Sequence, residues 1–314
     1  MMKRKQTKPV ISRKTAIFLG GGVVLACLCS AVFTYRAYHT QATKELKPRT
    51  LEELLAIPDK DLGRVDIARM NLLCATGLPG AENIDVEKYL ATIDQWAKVV
   101  KAAEEKYLPA FYRNPAKYEN SLSKFKAIYL VLTFKEDLKC GYNMELVRSG
   151  VMADRTNSKF AEDSRDSFLH GFVERGKGSC ASIPVLAVAL GRRCGYPLYL
   201  VSSKGHAFFR WEDGKERFNV EAAIRGTDIH PDEHYHTYPF PITELDWRHE
   251  RFLKNHTPVE EFSVFMFLRG VCFWAHNRFQ EAEEAFTHYL RGFPESQFIR
   301  AYITECQWRM NDEK

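Results

Sequence analysis

No Cys-x-x-Cys pair occurs among the eight cysteines of this 314-residue chain, which removes zinc-ribbon and thioredoxin-type chemistry. Their scattered spacing is no disulfide framework either, so most of them read as small buried hydrophobes. A helical His-Glu-x-x-His motif is missing. Gly176-Lys177-Gly178 lacks the spacing and the Lys-Ser/Thr ending of a phosphate-binding loop. Eighteen glycines and 13 prolines, scattered, exclude collagen and low-complexity disorder. A mean hydropathy of −0.34 excludes a multi-span membrane protein. Basic surplus is missing from nearly the whole chain: ten of the 45 Lys/Arg but one of the 40 Asp/Glu fall in residues 1–49. The remainder carries 35 basic against 39 acidic residues, so the net charge of +5 gives no basic face for a nucleic-acid partner.

What is present begins with one long apolar run. Ala16 to Tyr35 is twenty residues without a charge. As a helix it would be roughly 30 Å long, about the thickness of a bilayer hydrocarbon core. Lys3, Arg4, Lys5, Lys8, Arg13 and Lys14 precede it, which places residues 1–14 in the cytoplasm and the folded part outside. Residues 15–35 are thus expected to be a single-pass membrane anchor. Two other fates compete: a signal peptide cut after Ala31, and a lipoprotein signal at Val24-Leu25-Ala26-Cys27. Apolar sequence past Cys27 argues against the lipoprotein reading. All three export the rest of the chain.

Residues 36–50 read as a polar linker. A helical region is expected over 51–165, opened by Leu51–Leu55 after Thr50 as N-cap. Ile67, Met70 and Cys74 then form one helical face, with Leu73 beside it. Gly77-Leu78-Pro79-Gly80 is a stop. After Asp85 as N-cap, Val86, Tyr89, Leu90, Ile93, Trp96, Ala97 and Val100 make an amphipathic helix.

The texture changes over 166–257. Val185 to Leu190 is apolar and helical, and Pro184, lacking an amide, is tolerated only in a first turn. The helix therefore starts near Ser179 or Cys180, which puts the Cys180 thiol where helix-end amides and the dipole favour a thiolate. Gly195 ends the helix. Leu198–Ser202 and His206–Trp211 read as strands, with Lys204-Gly205 turning the chain between them. Asp213-Gly214 is a hairpin signal, and Arg217–Glu221 returns. A two-residue turn there sets His206 opposite Glu221 and Phe208 opposite Asn219. Strand alternation then puts His206, Asn219 and Glu221 on one face. A thiol, an imidazole and an acid in this order form a candidate nucleophilic triad: Cys180, His206 and Glu221, with Asn219 as the alternative third member. The Cys180 amide is one expected oxyanion donor; the sequence names no second.

Gly178-x-Cys180, Lys204-Gly205-His206-Ala207-Phe208-Phe209-Arg210-Trp211 and Phe218-Asn219-Val220-Glu221-Ala222 resemble the transglutaminase-like superfamily. The branch most similar is the SirB type, in which helices precede the core and tetratricopeptide repeats follow it. The resemblance spans about residues 50–311. It implies a papain-like fold, Cys180 as nucleophile and His206 as general base. Glu221 stands where these enzymes usually carry Asp. Gly270, Phe273, Phe279, Ala282, Phe286 and Pro294 fall at the spacing of a tetratricopeptide repeat, with Tyr289 in place of the usual small residue.

The expected fold is α+β: a papain- or transglutaminase-like core at 166–257, N-terminal helices before it, and tetratricopeptide-like helices at 258–314. Asp228, His230, Asp232, Glu233, His234 and His236 crowd one loop, read as the rim of the cleft, and no metal or cofactor is assigned. The expected activity is acyl transfer or amide hydrolysis on a protein or peptide substrate. The alternative is an inactive scaffold that holds a protein partner at its C-terminal helices.

Overall fold

The computed structural model describes residues 44–148, 161–222 and 227–312. The basic tail, the expected anchor at 15–35 and most of the linker lie outside the described residues. Among those described, no helix is long and apolar enough to cross a membrane. The fold is α+β.

Helix α1 (Leu51–Leu55) starts where the Thr50 hydroxyl accepts the Glu53 amide. Helix α2 (Ile67–Ala75) is capped by Asp66, whose Oδ1 takes the amides of Ala68 and Arg69. The spacing predicts a one-faced helix here, but all nine residues are buried. Its polar members have partners that permit this. Arg69 reaches the Pro48 carbonyl and Glu87, and Asn71 Oδ1 accepts the Leu169 amide at 2.9 Å.

Helix α3 (Val86–Arg113) is capped by Asp85 and buries Leu90, Ile93, Ala97 and Val100; it continues well past the expected face. Helix α4 (Leu122–Glu136) follows, capped by Ser121. Strand β1 (Gly141–Tyr142) and helix α5 (Met144–Arg148) come next. Helix α6 (His170–Arg175) leads through Gly176, at φ +66°, into strand β2 (Lys177–Gly178), which pairs in parallel with β1.

Helix α7 (Ile183–Arg193) is the pivot. Every residue from Ile183 to Gly191 is buried. One side packs on α2, α3 and α4 and the other on strands β3 (Leu198–Ser203) and β4 (His206–Glu212). Apolar residues all round it are what such a position requires. A side chain at Gly191 would fall 2.3 Å from Leu198 Cδ1, so only glycine lets helix and sheet approach this closely. Strands β5 (Arg217–Glu221) and β6 (Asp228–His230) complete an antiparallel meander in the order β3-β4-β5-β6. The stretch read as one loop, Asp228–His236, contributes β6 and a 3-10 turn at Asp232–His236, and helix α8 (Glu244–His249) follows.

The hairpin between β4 and β5 departs from expectation. Glu212 pairs with Arg217, so four residues turn the chain, not two. The reason is the Asp213 carboxylate, whose Oδ1 accepts the amides of both Lys215 and Glu216 at 2.8 Å. That closes a longer loop than Asp-Gly alone would make.

Helices α9 (Pro258–Ala275), α10 (Phe279–Tyr289) and α11 (Gln297–Asp312) close the chain. A reciprocal cap between Thr257 and Glu260 starts α9. The α9–α10 crossing depends on Gly270, where an added Cβ would lie 2.4 Å from the Phe286 ring. Tyr289 stacks on Phe293 at 4.7 Å, which accommodates the large residue at that position.

Gly270→Ala should therefore destabilise the protein. Overpacking costs ~1–3 kcal/mol and the gain in helix propensity returns up to ~1 kcal/mol. The expected net loss of about 1–2 kcal/mol is readable as a lower urea midpoint. An unchanged midpoint would mean that Phe286 moves aside freely.

Candidate active site

Cys180 lies in a turn ahead of α7, three residues before Ile183, rather than on the first turn of the helix as expected. The turn is wound by its own serines. Ser182 Oγ accepts the Ser179 amide at 3.0 Å, and Ser179 Oγ accepts the Ala181 amide at 3.1 Å. Ile183 N donates to the Ser179 carbonyl at 2.9 Å, joining turn to helix. The Cys180 amide, between two satisfied ones, has no hydrogen-bond partner among the described residues.

Two features fix this turn in place. Gly178 is required by close approach: a Cβ there would meet Phe172 Cζ at 2.3 Å and Ser182 Oγ at 2.4 Å. Asp166 is the second. Its carbonyl takes the Ser182 hydroxyl at 2.9 Å, and its Oδ1 takes Asn143 Nδ2 at 3.0 Å and Arg175 Nη2 at 2.6 Å. One buried residue thereby ties the turn, α6 and the segment after β1 together.

His206 opens β4 after the Lys204-Gly205 turn, in which Gly205 has φ +75°. Its side chain is 6% exposed, and its Nε2 lies 2.5 Å from Glu221 Oε2. The Cys180 thiol is a close neighbour of the same imidazole and acts on it. With Nε2 committed to Glu221, Nδ1 is the nitrogen left for the sulfur. Burial is the largest influence on His206 and disfavours the imidazolium. Hydrogen bonding to Cys180 and to Glu221, with the charges of both, outweighs burial and raises the imidazole to about 10. Thiol, imidazole and carboxylate thus form one linked group in which the imidazolium is favoured.

The longer hairpin loop changes which residues stand opposite each other. Arg210 pairs with Asn219 and Phe209 with Val220; one further step sets Glu221 beside Phe208. Glu221 thus reaches His206 on the diagonal rather than from directly opposite. The shift is two residues, so the shared face of His206, Asn219 and Glu221 survives. Asn219 does not turn toward the imidazole. Its Oδ1 accepts Arg210 Nε at 2.7 Å, and its Nδ2 donates to the His230 carbonyl and to Asp232 Oδ1.

The His-rich segment forms an aromatic rim. His230 stacks on His234 at 4.0 Å, His234 leans on Tyr238 at 5.0 Å, and Tyr238 meets His206 edge-on at 5.6 Å. Asp232 is engaged by Arg210 and Arg217. Among the described residues no three His, Cys, Asp or Glu side chains are placed to hold a metal ion.

One site residue had no signal in the sequence. Tyr142 stands opposite Gly178 in the two-residue β1–β2 ladder, and its phenol is a neighbour of Cys180. Burial above all, then the neighbouring Cys180, Tyr238 and Asp166, raises its phenol and keeps it protonated. A parallel pairing of two residues leaves no periodicity to read, which is why it escaped notice.

The six described cysteines are all free. Burial pushes Cys74, Cys140 and Cys272 up to about 12 and Cys306 to about 11, and it raises Cys194 as well.

The His206 ring should titrate near pH 10 in the folded protein, followed by the NMR shift of its C2 proton. Its positive charge is present below that midpoint and lost as the pH rises through it. Glu221→Gln removes one of the two raising partners, so the midpoint should fall. An unmoved midpoint in that variant would show that Glu221 does not hold the imidazolium.

No family model, curated protein or solved structure matches this chain, so the chemistry of the site rests on its own geometry.

Proposed function

We propose that this chain is a cysteine acyl transferase or amide hydrolase built on a papain- or transglutaminase-like core. The observation that carries the reading is His206, held by Glu221 on one side and within reach of the Cys180 thiol on the other.

In this reading the Cys180 sulfur attacks the carbonyl carbon of an amide or ester. The tetrahedral intermediate collapses, the C–N bond breaks, and the His206 imidazolium gives its proton to the leaving amine. A thioester remains on Cys180. Water or a second amine then attacks it, His206 takes the proton of that nucleophile, and the C–S bond breaks to restore the thiolate. Water completes hydrolysis; an amine completes transamidation. Glu221 acts on the imidazole alone: it fixes the ring and offsets its charge.

The proposed substrate is a protein or peptide, since amide carbonyls are the common target of this chemistry. The apolar run at 15–35 tethers the enzyme to a membrane and leaves the folded part outside the cytoplasm. The scaffold reading draws on α11, where Phe298 is 49% exposed and Trp308 54% exposed. Under that reading Cys180→Ala leaves the function intact and substitution of the two aromatics abolishes it.

Iodoacetamide should modify Cys180 in the native protein roughly a hundred times faster than Cys74, Cys140, Cys194, Cys272 or Cys306, with sites and rates read by peptide mass spectrometry. His206→Ala should remove most of that advantage. Comparable rates at Cys180 and at the buried thiols would leave no activated nucleophile, and the scaffold reading would stand in its place.

A further inference from the structure

Acyl transfer through Cys180 needs more than a nucleophile and a base. When the sulfur attacks, the carbonyl π electrons move onto oxygen, and that oxyanion must find donors already aimed at it. The free Cys180 amide supplies one. One amide is half of what such a site requires.

We infer that the hydroxyl of Tyr142 is the second oxyanion donor, and that Tyr142 is a catalytic residue of this site. The inference rests on the proposed cysteine chemistry. Its support is the way the chain delivers the ring to the sulfur. Gly141 N donates to the Gly176 carbonyl at 2.9 Å, and Asn143 N donates to the Gly178 carbonyl at 2.7 Å. These two bonds bracket Tyr142 and set it opposite Gly178, two residues before the nucleophile. Asn143 is locked in turn by Asp166, the residue whose carbonyl also holds Ser182. Donor and nucleophile are thus fixed to the same small frame.

The position also suits the chemistry. Cys180 is close enough to the phenol to act on it. A carbonyl oxygen that turns toward the phenol when its carbon bonds that sulfur would meet this hydroxyl. The hydroxyl could then donate to the oxygen as charge moves onto it. Because the surroundings of Tyr142 oppose loss of its proton, it remains a donor across the working range of pH. The role asks only for a hydrogen bond, not for proton transfer, so the thioester step balances as before.

Two reactions of the same sulfur separate this role from simple packing. Iodoacetamide is attacked at a tetrahedral carbon: a C–S bond forms, iodide leaves, and no oxyanion develops. p-Nitrophenyl acetate is attacked at a carbonyl: an oxyanion forms, collapses with cleavage of the C–O bond, and releases p-nitrophenolate. Both rates would be measured on the full chain for the native protein and for Tyr142→Phe, which keeps the ring. Alkylation of Cys180 should change by no more than a few fold. Acylation, read as the burst of p-nitrophenolate, should fall about a hundredfold or more.

Equal loss in both reactions would assign Tyr142 to positioning the thiol and overturn its catalytic role. No loss in either would overturn it as well. A native protein whose Cys180 gives no burst at all would sink the cysteine-enzyme reading itself, and this inference with it. Should Tyr142→Phe not fold, 3-fluorotyrosine at position 142 offers a stronger donor in nearly the same volume. Acylation should then rise relative to alkylation, and an unchanged ratio would overturn the inference.

Discussion

The two faces of the sheet are put to different uses, and period-two alternation enforces the separation. In β4 and β5, Phe209, Trp211, Phe218 and Val220 belong to the core that contains α7. The intervening residues point the other way, and there Phe208 packs with Tyr235 and Leu253 in a second, smaller core. His206 and Glu221 share that second face. A slip of one residue in either strand would bury polar groups under α7 and push Phe209 or Val220 into the site. Burial of the first face therefore fixes the chemistry of the second.

The second face needs a cover, and a buried cation holds it in place. Arg210 is 1% exposed. A guanidinium so placed costs several kcal/mol unless its donors are met. They are met by Asn219, Asp232, Asn255 and the Leu253 carbonyl. Three of these four partners come from the segment after β5, so satisfying the charge pulls that segment onto the sheet. The same segment carries His230, His234 and Tyr238, and so the aromatic rim is placed by the requirements of Arg210. Asn219 belongs to this network, and its amide is spent on holding the cover.

The parts of the site that were legible in the sequence are those with a strong local rule behind them. Alternation in β4 and β5 gave His206 and Glu221 a common face, and that survived a wrong loop length because the error was an even number of residues. Pro184 located the start of α7 to within a few residues. What it missed was the preference of Ser179 and Ser182 for capping their own turn, which moves the regular helix past the cysteine. The complete burial of α2 was not legible because Arg69 and Asn71 look like a solvated face. Their partners, Glu87 and the Leu169 amide, are distant in the chain. Tyr142 was hidden for the same reason: the ladder that delivers it joins segments far apart in the chain and is two residues long.

Register also accounts for the identity of the acid. Directly opposed residues in an antiparallel pair have Cβ atoms ~5 Å apart, whereas diagonal neighbours lie ~7–8 Å apart. The ladder sets Glu221 beside Phe208, so its carboxylate has the longer distance to cross to reach His206. The extra methylene of Glu over Asp makes up part of that difference, and Oε2 reaches Nε2 at 2.5 Å. An Asp would suit a strand shifted by two residues; the four-residue turn made by Asp213 excludes that shift. The length of the acid and the length of the turn are thus two expressions of one constraint, set by a carboxylate at the far end of the hairpin from the site.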